Sequence, residues 1–113
     1  MAILDFVRQF VGEEPVRQPV WRILRITDKA GFPKEDDDSR RRVQCTYSDV
    51  WFAHVADEQS HQIKPILFMQ YCTDECGYPK HGCMHTSMVE DIDEEDGKIC
   101  IKTLNSIYVI RQE

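Results

Sequence analysis

Basic residues are scarce in the second half of this sequence. Residues 57–113 carry five Lys and Arg against 11 Asp and Glu, whereas residues 1–56 carry nine of each. The formal net charge of −6 therefore arises in one half. Affinity for nucleic acid rests on neutralising phosphates with Lys and Arg, so direct nucleic-acid binding is not expected. An acidic surface serves either solubility or a basic protein partner. Long apolar runs are missing too, and none approaches the roughly 20 residues of a membrane helix. Asp5 and Arg8 interrupt the apolar stretch at residues 1–10, unlike a secretory signal. A cytoplasmic location without membrane contact is expected. No internal repeat and no low-complexity segment is apparent. There is no Gly-rich phosphate loop, no H-E-x-x-H, and no H-x-E with P-C-x-x-C. The expectation is a protein that is not an enzyme. A cysteine-dependent activity, with His54, His61, His81 or His85 as base, is the weaker alternative.

What is present suits one globular domain. The chain has 113 residues, 42% hydrophobic and 30% charged, and at this length a fold buries roughly two-thirds of its unfolded surface. Ile3, Phe6, Val7 and Phe10 follow helical spacing and Gly12 is a natural stop, which predicts an N-terminal helix over residues 1–12. Residues 19–27 read as a strand. Residues 28–42 read as a charged loop, with four acids followed, after Ser39, by Arg40, Arg41 and Arg42. Residues 43–47 alternate like a strand, and residues 48–55 suit either a helix capped by Ser48 or a strand. The run Ile66-Leu67-Phe68-Met69 suits a strand buried on both faces. Residues 87–103 form the clearest hairpin, with Asp96-Gly97 as its turn, and Ile107-Tyr108-Val109-Ile110 makes a last strand. Short strands separated by turns favour antiparallel pairing. The expected fold is α+β: one N-terminal helix packed on an antiparallel sheet of five or six strands.

The chemically specific segment is residues 72–85, read as an irregular loop. It holds Cys72, Cys76, Cys83, His81 and His85. Zinc takes four thiolate or imidazole ligands in a tetrahedron, and Gly77, Pro79 and Gly82 let the backbone curl around an ion. Cys72, Cys76, Cys83 and His85 are the candidate zinc ligands, with His81 as alternate. The same residues also suit a disulfide, or ordinary loop thiols without special chemistry. Cys45 and Cys100 sit inside strand patterns and read as core.

From His85 to Ile110 the chain resembles the ending of many small, uncharacterised phage- and prophage-encoded proteins. The shared residues are Thr86-Ser87-Met88-Val89, a turn, and Thr103-Leu104-Asn105-Ser106-Ile107-Tyr108. The resemblance covers about a quarter of the chain. It implies a small β-rich domain from a mobile element and carries no catalytic residue. Asn105 and Ser106 suit a backbone bend, and Tyr108 suits a buried ring with its hydroxyl at the edge. The functional expectation is a non-enzymatic protein-binding module. On the resemblance it is an inhibitor of a host defence protein, of the anti-CRISPR kind, presenting Asp91, Asp93, Glu94, Glu95 and Asp96 to a basic, nucleic-acid-binding host protein. The alternative is a small domain held by structural zinc.

Overall fold

The computed structural model describes residues 19–56 and 63–113. They form β1 (Trp21–Thr27), α1 (Asp37–Arg42), β2 (Thr46–Ala56), β3 (Ile63–Thr73), β4 (Cys83–Glu95), β5 (Lys98–Thr103) and β6 (Ile107–Gln112). Each strand pairs antiparallel with the next, and β6 returns to pair with β1, which closes a barrel. The β1–β2 seam is short, with Trp21 opposite Tyr47 and Arg22 opposite Thr46, so β2 beyond Tyr47 has no β1 partner.

The α+β expectation is overturned. The described residues are mostly β, and their one helix is the six-residue α1. The predicted helix at residues 1–12 lies outside the described residues. The physical reason for the β class is that a sheet closed on itself buries its inner face without a helical layer. The inner face carries Ile23, Tyr47, Leu67, Met69, Ile92, Ile101 and Ile110, all essentially inaccessible. Burying an aliphatic side chain of this size contributes about 1.5–3 kcal/mol.

Two predicted loops contain ordered structure. Residues 37–42 of the charged run are α1. Asp36 caps it, accepting from the Ser39 amide at 3.1 Å and the Ser39 hydroxyl at 2.9 Å. These two bonds lower the Asp36 pKa. Asp37 and Asp38 fill the first turn and the arginines the last, the order that the helix dipole favours. In the 72–85 segment, Cys72 and Thr73 end β3 while Cys83 and His85 begin β4. The ambiguous stretch at residues 48–55 is strand.

Strands β1, β3 and β5 finish, and β2, β4 and β6 begin, at the same end of the barrel. Helix α1 sits across that end. Tyr47 donates to the Arg42 carbonyl at 2.7 Å, and Arg42 Nη1 donates to the Tyr108 hydroxyl at 3.2 Å. Lys80 Nζ donates to the Arg41 carbonyl at 2.9 Å and lies 4.1 Å from the Tyr71 ring centre. Burial raises the Tyr47 and Tyr108 pKa values, and Arg42 opposes the shift at both. Ser87 and residues 103–106 close the same end. The Thr103 amide and hydroxyl both donate to the Ser106 carbonyl, and the Asn105 amide donates to the Ser87 hydroxyl. Their contribution in this structure is a fastened β5–β6 turn.

Candidate functional site

The structure places the cysteines and histidines of the central segment at the end of β3, in the turn after it and at the start of β4. Cys72 faces outward from β3, where its thiol donates to the Ser48 hydroxyl at 3.2 Å. Cys76 is exposed in the turn after β3. Cys83 stands opposite Gln70 and His85 opposite Phe68. His81 is exposed in the loop between them. All five cysteines are free thiols. Among the described residues, no three His, Cys, Asp or Glu side chains converge as a metal-binding group. Cys45 is fully buried, as expected, and burial raises its pKa. Cys100 instead points outward between Asp93 and Val109 and is half-buried.

The acidic candidates lie along the far part of β4 and into its hairpin. Asp91 stands opposite Lys102, Asp93 opposite Cys100 and Glu95 opposite Lys98. Glu94, opposite Ile99, is exposed, and Asp96 occupies the turn at φ 51° before Gly97. Glu90 pairs with Lys29. Part of the mutual repulsion is thus offset by lysines across the strand.

The outer wall of the barrel divides into two halves of different chemistry. Over β4, β5, β6 and β1, one row reads Glu95, Lys98, Arg111, Arg22 and the next reads Asp93, Cys100, Val109, Arg25. Six of these eight residues are charged. Over β2, β3 and β4 the register gives three other rows: Ser48–Gln70–Cys83, Trp51–Phe68–His85 and Ala53–Ile66–Met88. None of these nine residues is Asp, Glu, Lys or Arg. The middle row is a ladder of rings. Trp51 stacks on Phe68 with centroids 5.3 Å apart and an interplanar angle of 11°, and Phe68 lies 5.5 Å from His85. Trp51 remains 43% exposed.

The expectation that residues 66–69 form a strand buried on both faces is corrected. Only Leu67 and Met69 are buried, while Ile66 and Phe68 stand on the outer wall. A continuous apolar run in an antiparallel strand therefore marks an apolar exterior here. The signal available in sequence is the lack of charge at Trp51 and Ala53, at Ile66, Phe68 and Gln70, and at Cys83, His85 and Met88, but it becomes a surface only once their register is known. Comparison with family models, with curated proteins and with solved structures finds no match to this chain.

Proposed function

We propose that this protein is a non-enzymatic protein-binding module that docks through the outer wall of β2, β3 and β4. The observation that carries this reading is the uncharged ring ladder Trp51–Phe68–His85 on an otherwise charge-rich surface. An exposed apolar patch is unfavourable in water unless a partner covers it, and interface centres are depleted of charge and enriched in aromatics. Trp51 and Phe68 are the anchors. Strand β4 continues from this wall into the acidic stretch at residues 90–96. That flank supplies long-range attraction to a basic partner and speeds association. A host protein with a Lys- and Arg-lined channel is the partner class that both features suit.

The test is affinity capture from a bacterial lysate with matched baits. Trp51→Asp places a charge on the ladder without touching the core. A protein held by the wild type should be lost with Trp51→Asp and retained with Lys102→Asp on the charged half. Identical captures by wild type and Trp51→Asp would defeat the proposal.

A further inference from the structure

Positive charge collects at the α1 end of the barrel, although the chain as a whole is acidic. One cleft there, of about 300 Å³, lies between α1, the end of β3 and the start of β4. Arg41, Arg42, Lys80 and His85 line it with the Tyr71 ring, and Asp38 is the single carboxylate of its lining. Three permanent cations thus stand against one acid, and that acid is already paired with Arg41. Two neighbouring clefts are also basic, with three cations against two acids in one and three against one in the other. Both draw on Arg40, which is exposed.

Two cations of the first cleft are half-buried and held by neutral groups. Arg42 Nη1 donates to the Tyr108 hydroxyl at 3.2 Å. Lys80 Nζ donates to the Arg41 carbonyl at 2.9 Å and stands 4.1 Å from the Tyr71 ring centre. Among the described residues, neither cation forms an ion pair with a carboxylate. A neutral acceptor fixes a cation without cancelling its charge, and a concave wall concentrates the resulting field. The carbonyls at the end of α1 would repel an anion, but they are occupied. The Arg41 carbonyl accepts from Lys80 and from the Cys45 thiol, and the Arg42 carbonyl accepts from the Tyr47 hydroxyl.

Lys80 is placed by a loop that the barrel contains twice. Residues 27–34 read Thr-Asp-Lys-Ala-Gly-Phe-Pro-Lys, and residues 73–80 read Thr-Asp-Glu-Cys-Gly-Tyr-Pro-Lys. The apparent lack of repeats in the sequence is therefore corrected: the pattern T-D-x-x-G-[F/Y]-P-K occurs at a separation of 46. The geometry of these twin loops repeats as well. The Asp28 amide donates to the Phe32 carbonyl at 2.8 Å, and the Asp74 amide to the Tyr78 carbonyl at 2.8 Å. Asp28 Oδ1 accepts from the amides of Ala30 and Phe32, and Asp74 Oδ1 from those of Cys76 and Tyr78. Thr27 bridges Pro33 as Thr73 bridges Pro79. Each loop ends in a lysine turned back on the barrel, Lys34 to the Ser106 hydroxyl and Lys80 to the Arg41 carbonyl.

We propose that the cleft binds the phosphate group of a phosphate monoester through Arg41, Arg42 and Lys80. Arginine offers a planar fork that matches phosphate oxygens, and lysine a point charge. Charge selects phosphate over a carboxylate. The lining carries a net two positive charges, and a phosphate monoester carries about −1.5 to −2 at pH 7. The cleft is larger than a phosphate group alone, so the organic part of the ligand lies beside His85, the last ring of the outer-wall ladder. The monoester is either a small molecule or a phosphorylated side chain of a protein docked on that wall. Only the second source rests on the outer-wall reading.

The probes are phenyl phosphate, phenyl sulfate and inorganic phosphate, titrated into the 15N-labelled full chain at low salt. Phenyl phosphate should bind saturably with Kd below about 1 mM, and amide shifts should cluster at residues 41–43, 71, 80 and 83–85. Phenyl sulfate, with one charge fewer, and inorganic phosphate, without the organic part, should each bind at least about threefold more weakly. Arg42→Gln and Lys80→Gln should each weaken phenyl phosphate about tenfold. Both side chains also hold the end of α1, so thermal melts accompany them. Arg41→Gln, at an exposed position, gives the same reading without that contact and should weaken binding about tenfold too. No saturable binding, equal affinity for phenyl sulfate and phenyl phosphate, or indifference to all three substitutions would overturn the proposal. Trp51→Ser should change phenyl phosphate affinity by less than about twofold, so the cleft and the outer wall fail or stand separately. Phosphatase treatment of the lysate separates the two sources. Capture by the wild type is lost if the partner carries the monoester and kept if the ligand is a small molecule.

Discussion

Replacing Gly31 and Gly77 with alanine tests whether the two loops are physically equivalent. Both glycines have positive φ, 96° and 88°, and a Cβ added at either meets no atom within 4 Å. Steric contact with neighbours is therefore excluded as a cost, and only backbone strain is left. An L-residue forced into this region loses about 1–2 kcal/mol. The hydrogen bonds at stake are also matched, since each glycine amide donates to its loop aspartate carbonyl at 3.1 Å. The expected loss is thus about 1–2 kcal/mol for either variant, and about 2–4 kcal/mol for the double variant if the sites add. In a domain of this size each kcal/mol lowers Tm by about 4–8 °C. Urea unfolding followed by tryptophan fluorescence, to which buried Trp21 and exposed Trp51 both contribute, gives the free energies directly, with an unchanged m-value as the check on two-state behaviour. The sign is decisive. Where the native φ suits alanine, Gly→Ala stabilises by about 0.4–1 kcal/mol, so a stabilised variant would refute the positive-φ backbone. Losses that differ by more than about 1 kcal/mol would refute equivalence of the loops, since additivity errors are smaller than that.

Other expectations follow from the same geometry. Leu67→Ala removes a fully buried side chain from the centre of β3 and should cost about 2–5 kcal/mol by denaturant unfolding; a loss under about 1 kcal/mol would mean the barrel interior is loosely packed. Cys76 and Cys83, both exposed, should react with a thiol reagent in the native state, while Cys45, buried and with a raised pKa, should react only on unfolding. One equivalent of zinc that protects Cys76 and Cys83 would establish the Cys72–Cys76–Cys83–His85 site, and unaltered reactivity would dismiss it. The Asp36 carboxyl has a lowered pKa in the folded state, so its cap adds stability above the unfolded value of about 3.9 and loses it as pH falls through the folded value. The Ser39 amide resonance should therefore shift on acidification below about pH 4, and Asp36→Ala should show the acid form of that resonance already at pH 7.

Much of the strand content was legible in the sequence. The hairpin of β4 and β5, its Asp96-Gly97 turn and the final strand follow from alternation and turn chemistry, because these signals lie within a few residues of one another. The antiparallel arrangement follows from the short connections. The helix α1 was also written locally, as an acidic start capped by Asp36 and an arginine finish, but the charges alone read as a solvated loop. The α+β class failed for a different reason. Whether an apolar sheet face is covered by a helix or by the rest of its own sheet depends on the pairing of β6 with β1, some 90 residues away in the chain. No local pattern encodes that closure. The site divides the same way. The residues of the twin loops are explicit in the sequence and needed only to be aligned. The ring ladder is not, because Trp51, Phe68 and His85 are ordinary members of three separate strands. They become a surface when bulges in the β2–β3 and β3–β4 pairings set the register that brings them side by side, since one residue of slip would send an entire set of side chains to the opposite face.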